Sequence, residues 1–153
     1  MQVSTTDPRA AAPARARLPL VASIAALGVL WNAYGVLQFV NVFSQTRDSL
    51  MAAGMTAQQA GVYLALPGWI TAAFGAGVAF GLIGATALLV RQRSAPVLLA
   101  LSLAAYLLLF AGDAYHGVFT SMPLQLAVLA AVVVIAAVLL TVAVVARNQA
   151  WRR

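Results

Sequence analysis

Four apolar runs, each long enough to cross a bilayer, occupy most of the chain: Leu18 to Phe43, Pro67 to Val90, Pro96 to about Val118, and Leu124 to Ala146. About 20 apolar residues, rising 1.5 Å each in a helix, cover the roughly 30 Å of hydrocarbon in a bilayer. Hydrocarbon offers no water to a backbone N–H or C=O, so each run is confined to a helix that satisfies itself. The fold class that follows is all-α, a four-helix transmembrane bundle. Composition agrees: 63% of the 153 residues are hydrophobic and 8% are charged, whereas a soluble domain carries about a quarter charged residues. Pro19, Pro67, Pro96 and Pro123 fall at the starts of the runs, where a missing N–H has no helical partner to lose. Residues 1–17 read as a disordered basic tail, 18–146 as a single membrane domain, and 147–153 as a second basic tail.

All nine basic residues are arginine, and the net charge is +6. In a soluble chain that balance would raise nucleic acid as a partner. Here the arginines lie at the ends of the apolar runs, so the lipid bilayer is the expected partner and nucleic acid is not. Arg9, Arg15 and Arg17 precede the first run, Arg91 and Arg93 separate the second from the third, and Arg147, Arg152 and Arg153 follow the fourth. With four spans those segments share one side, and only Arg47 lies on the other. This asymmetry puts both termini in the cytoplasm of a bacterial inner membrane, with Trp69 and Trp151 near the interfaces. An N-terminal signal peptide is the alternative, but the first run exceeds the usual ~7–15-residue core and has no clear cleavage site after it.

The segment between the first two runs has its own signals. Gly54 is a helix stop. Thr56 and Gln59 form a capping box that starts a helix at Ala57. Continued to Val90, that helix would be about 51 Å long, longer than a bilayer is thick. The expectation is a short helical turn on the periplasmic side, Ala57 to Leu66, joined to the second span at a bend made by Pro67. The first helix is expected to continue past Phe43 to about Ala53.

Ala73, Gly77, Gly81 and Ala85 recur every four residues along the second span. Small residues let helix backbones approach in lipid. This ladder serves either packing within the chain or a seam between two copies.

The first span carries a polar ridge. Trp31, Tyr34, Gln38, Asn41, Gln45 and Asp48 are spaced by three and four, on one helical face, with Asn32 beside it. Such a face is expected to point into the bundle rather than to lipid. On the third span Ser102, Tyr106 and Asp113 share a face, with His116 one turn beyond. Both faces lead to the periplasmic half, so the two are expected to meet there. They serve either as interhelical hydrogen bonds or as the lining of a hydrated ligand-binding cavity. Arg47 is the salt-bridge candidate for Asp113, with Asp48 competing. Asp113 and His116 are either a proton-handling pair or a wet interfacial pair without a role.

Cysteine is absent, and one histidine with so few carboxylates cannot build a metal site. The chain has no phosphate loop, nucleophile elbow or paired catalytic carboxylates. No cofactor and no enzymatic role is expected.

The order Trp31-Asn32-x-x-Gly35, Thr46, Thr56-x-x-Gln59, Tyr63-x-x-x-Pro67-x-Trp69, Arg91 and Arg93 resembles a family of small four-span bacterial inner-membrane proteins, over roughly residues 27–110. Some members of that family carry a sugar-transporter label. The resemblance implies an acidic residue where this chain has Gln38, so a charged centre for proton-coupled transport is missing. The expected function is a non-enzymatic binding, assembly or accessory subunit, in a homo-oligomer or a larger membrane complex. The alternative is a transporter or permeation unit for a small polar solute such as a sugar.

Overall fold

The computed structural model of the chain describes residues 12–150, and side chains from 19 to 148. The tail readings for 1–11 and 151–153, with Arg9, Trp151, Arg152 and Arg153, lie outside the described residues, as do the side chains of Arg15 and Arg17. The chain forms α1 (Ala12–Val42), α2 (Arg47–Ala52), α3 (Ala57–Leu64), α4 (Gly68–Leu89), α5 (Ala95–Tyr115), α6 (Val118–Ser121) and α7 (Pro123–Ala150). Four of these, α1, α4, α5 and α7, are long and apolar enough to cross a membrane. The short helices α2, α3 and α6 gather at the end of the bundle away from the N-terminus of α1, here the cap side.

α1 begins before Pro19, which lies inside the helix rather than in its first turn. The Ala- and Arg-rich stretch ahead of the proline favours helix strongly enough to extend it backward. At its other end α1 stops at Val42 and does not run on to Ala53. Thr46 instead starts α2 with a capping box of its own: its hydroxyl accepts from the Ser49 N–H at 3.2 Å, and its N–H donates to the Ser49 hydroxyl at 2.9 Å. α2 ends where Gly54 adopts φ +97, a left-handed stop that lets the Met55 N–H reach the Leu50 carbonyl.

α3 opens as the sequence predicts. The Thr56 N–H donates to Gln59 Oε1 at 2.9 Å, and the Thr56 hydroxyl accepts from the Gln59 N–H at 3.2 Å. Pro67 then separates α3 from α4 altogether, at extended dihedrals and as the N-cap of α4. α5 ends at Tyr115 because Gly117 turns left-handed, and the chain enters α6 there.

α4 is the inner helix, with 44% of its apolar window buried against 17% for α1. It packs between α1 and α5; α5 packs on α7; α1 meets α7 along a short stretch around Gly28 and Leu139. Ala73, Gly77, Gly81 and Ala85 are all buried within the chain. The ladder is therefore internal packing and not a seam between copies. A Cβ at Gly77 would sit 2.7 Å from the Tyr106 ring, and one at Gly84 would sit 3.1 Å from the Leu99 backbone nitrogen. The core falls into two clusters, one around Ala25, Leu88, Leu99 and Leu139, the other around Ile70, Val78, Tyr106 and Leu129.

A backbone atom cannot swing aside as a side chain can. Gly84→Ala is therefore expected to force α4 and α5 apart and lower stability by about 1–3 kcal/mol, measured by unfolding in mixed detergent micelles. Gly61 on α3 has open space around its Cβ position. Gly61→Ala is expected to raise stability by about 0.4–1 kcal/mol in the same assay.

Candidate functional site

Three polar side chains meet near mid-height of the bundle. Asn32 is 3% exposed, and Ser102 and Tyr106 are buried with it. Asn32 Nδ2 donates to the Gly28 carbonyl one turn back at 2.8 Å. Its Oδ1 accepts from the Tyr106 hydroxyl at 3.4 Å. The same carboxamide lies so close to Gly81 that any Cβ there would collide with it. Ser102 donates to the Gly77 carbonyl at 2.7 Å. Asn32 thus reaches across bare α4 backbone to α5, which is why a polar residue and two glycines occur at one level. Among the described residues no buried side-chain nitrogen or oxygen lacks a partner. A crevice between α1, α5 and α7 reaches this cluster past Trp31, Val132 and Ile135, but it is too narrow to hold a water molecule. The centre of the bundle is closed by interhelical contacts.

A second cluster sits under the cap. Asp113 is 3% exposed, and the side chain of Gln125, at the start of α7, stands beside its carboxyl group. Tyr63 on α3 stands close enough to feel its charge. Gln59 donates to the Ser121 carbonyl at 2.9 Å and ties α3 to α6. The expected Arg47–Asp113 salt bridge is not made. Arg47 donates to the Ala57 carbonyl at 3.4 Å instead, because Asp113 is buried and Arg47 lies on the exposed outside of the cap. Asp48 stays exposed and unbridged. His116 is exposed too; its ring lies 6.4 Å from that of Trp69 and 5.2 Å from that of Tyr115, and it makes no hydrogen bond with Asp113. Asp113 and His116 therefore differ in environment, one covered and one open. Among the described residues no three His, Cys, Asp or Glu side chains come together as a metal site.

The polar ridge of α1 is not in either cluster. Trp31, Tyr34, Gln38, Asn41 and Asp48 are exposed, Tyr34 at 56%, and Gln45 is half-buried. Asn41 Nδ2 donates to Gln38 Oε1 at 3.5 Å, and Gln45 accepts from the Ser49 hydroxyl at 3.0 Å. The expectation that this face points inward to meet α5 fails, and its physical reason is packing distance. α1 turns toward α4 the strip that permits close approach: Ala25, Gly28, Asn32, Gly35 and Phe39. A Cβ at Gly35 would lie 3.1 Å from Val78, and the Phe39 ring fills the space left by Gly75. Of the polar residues on α1, only Asn32 shares that strip.

Sequence spacing identified Asn32, Tyr106 and Asp113 as polar groups needing partners; the structure joins Asn32 to Tyr106 and sets Gln125 and Tyr63 near Asp113. It missed Tyr63 and Gln125, since spacing along one helix says nothing about which loops fold over its end. The chain matches no protein-family model, no characterised protein and no solved structure in the comparisons made. The functional reading therefore rests on geometry.

Two outcomes follow from these contacts. In a double-mutant cycle of Asn32→Ala and Tyr106→Phe, the coupling is expected to be about 0.6 kcal/mol, the average for membrane hydrogen bonds. At alkaline pH, Tyr63 is the reporter. Burial pushes its phenol above the ordinary value near 10, and the charge on Asp113 adds to the rise. The folded state then holds this proton more firmly than the unfolded state does. The stability that Tyr63 contributes is complete below pH 10 and is lost as pH climbs through the raised value. Taken from about pH 9 to about pH 11, Tyr63→Phe is expected to lose less stability than the parent chain.

Proposed function

We propose that this chain is a non-enzymatic subunit of a bacterial inner membrane, with both termini cytoplasmic, which acts by assembling with another membrane helix. The observation that carries the reading is the outward polar face of α1, Tyr34, Gln38 and Asn41. A carboxamide facing hydrocarbon without a full set of partners is costly, and polar side chains in spans are normally turned to protein. This face is turned away from its own protein. A second helix laid against it would supply the partners. The arginine asymmetry supports this orientation, in which the ridge belongs to the periplasmic half.

The transporter alternative, which comes with the family that the chain resembles, would use the same ridge as the wall of a water-filled path. The crevice at the bundle centre excludes water, and the ridge lies outside the bundle, so assembly is the better-supported reading.

A photo-cross-linking amino acid at Gln38 or Asn41 in native membranes tests it. Protein adducts are expected at both positions, and none at Val134, which is exposed on α7. Absence of adducts at Gln38 and Asn41 would refute the assembly reading.

A further inference from the structure

The exposed face of α1 has a depth, and the contacts with α4 set it. Gly28 lies against Ala85, Gly35 against Val78, and Phe39 against Gly75 and Phe74. The two helices are antiparallel and in constant register. Continuing that register brings Trp69, near the cap-side end of α4, level with Ser44. Gln38 is then about 9 Å below the tryptophan and Asn41 about 5 Å below it, at 1.5 Å per residue. Tyr34 lies deeper still, near the middle of the span. Tyr34, Gln38 and Asn41 thus lie on the hydrocarbon side of the tryptophan, and Gln45 and Asp48 beyond it.

The face is also uncharged between Trp31 and Gln45. Its polar groups are two carboxamides and a phenol. A carboxamide carries donors and an acceptor together, so it complements an identical carboxamide at the same depth. A carboxylate or a guanidinium would repel its own copy. Identical chains inserted in one orientation are related by a two-fold axis along the membrane normal, which sets each residue near its equivalent at equal depth. Trp31 borders α7 at the crevice, but Tyr34, Gln38 and Asn41 are exposed, so a second helix has access to them.

From this we infer that the helix which docks on α1 is α1 of a second copy, with Gln38 meeting Gln38 and Asn41 meeting Asn41 across a two-fold axis. The inference rests on the assembly reading and names its partner. It places the seam on α1, away from the buried glycine ladder of α4.

The chain contains no cysteine, so single cysteines report on themselves. The full chain is reconstituted in phospholipid vesicles and oxidised. Disulfide-linked dimer is expected for Gln38→Cys and Asn41→Cys, and not for Val97→Cys or Val134→Cys, which are exposed on α5 and α7. In detergent, light scattering is expected to give a dimer for the parent chain. Its dissociation constant should rise about tenfold in the double variant Gln38→Leu, Asn41→Leu. Both side chains are on the surface, so the variant keeps its fold, checked by its unfolding midpoint. Equal cross-linking at all four cysteines, or a monomer from the parent chain, would overturn the inference. The photo-cross-links separate the two levels. Adducts only to a different protein would refute the second copy and leave the assembly reading standing, whereas no adduct at all would remove both.

Discussion

The bundle depends on the close approach of α4 to both of its neighbours. In lipid there is no hydrophobic drive to press apolar helices together, so contact distance and hydrogen bonds decide which faces meet. Gly77, Gly81 and Gly84 strip one side of α4 down to backbone, and the groups that arrive there do so because nothing blocks them. The Tyr106 ring occupies the place of a side chain at Gly77, the Asn32 carboxamide that at Gly81, and Leu99 that at Gly84. The same bare backbone supplies the Gly77 carbonyl that receives Ser102. One set of glycines therefore accounts for the packing and for the only polar residue that α1 turns inward at mid-span.

That preference explains the placement of the α1 ridge. A helix has one face to give to its neighbour. α1 gives the face with Gly28, Gly35 and Phe39, since it seats closest on α4, and the carboxamides are left on the far side. Polarity alone would have chosen the opposite face. Proximity won, and the unused hydrogen-bonding capacity was displaced from the inside of the bundle to its outside.

The four spans were legible in the sequence because length and apolarity are properties of single segments. So was α3, whose capping box is encoded within four residues. The stop at Val42 was encoded as locally, in Thr46 and Ser49, but the run of helix formers around it masked the signal. The orientation of the ridge was not legible. Helical spacing shows that Tyr34, Gln38 and Asn41 share a face, but the direction of that face depends on what α4 offers, and α4 is another segment. The neighbours of Asp113 were hidden for the same reason. Gln125 and Tyr63 come from elements on either side in the sequence, and only the folded cap brings them to the end of α5.

Asp113 also ties that end of α5 to segments that come later in the chain. Gln125, beside its carboxyl group, is at the start of α7, and Gln59 of α3 is tied to Ser121, just ahead of α7. Ser121 and Gln125 both follow α5 in the chain, so the surroundings of Asp113 are completed by segments that come after it. The cap-side end of α5 is thus finished by the segment that leads into the fourth span, whereas the glycines of α4 find their neighbours among the first three.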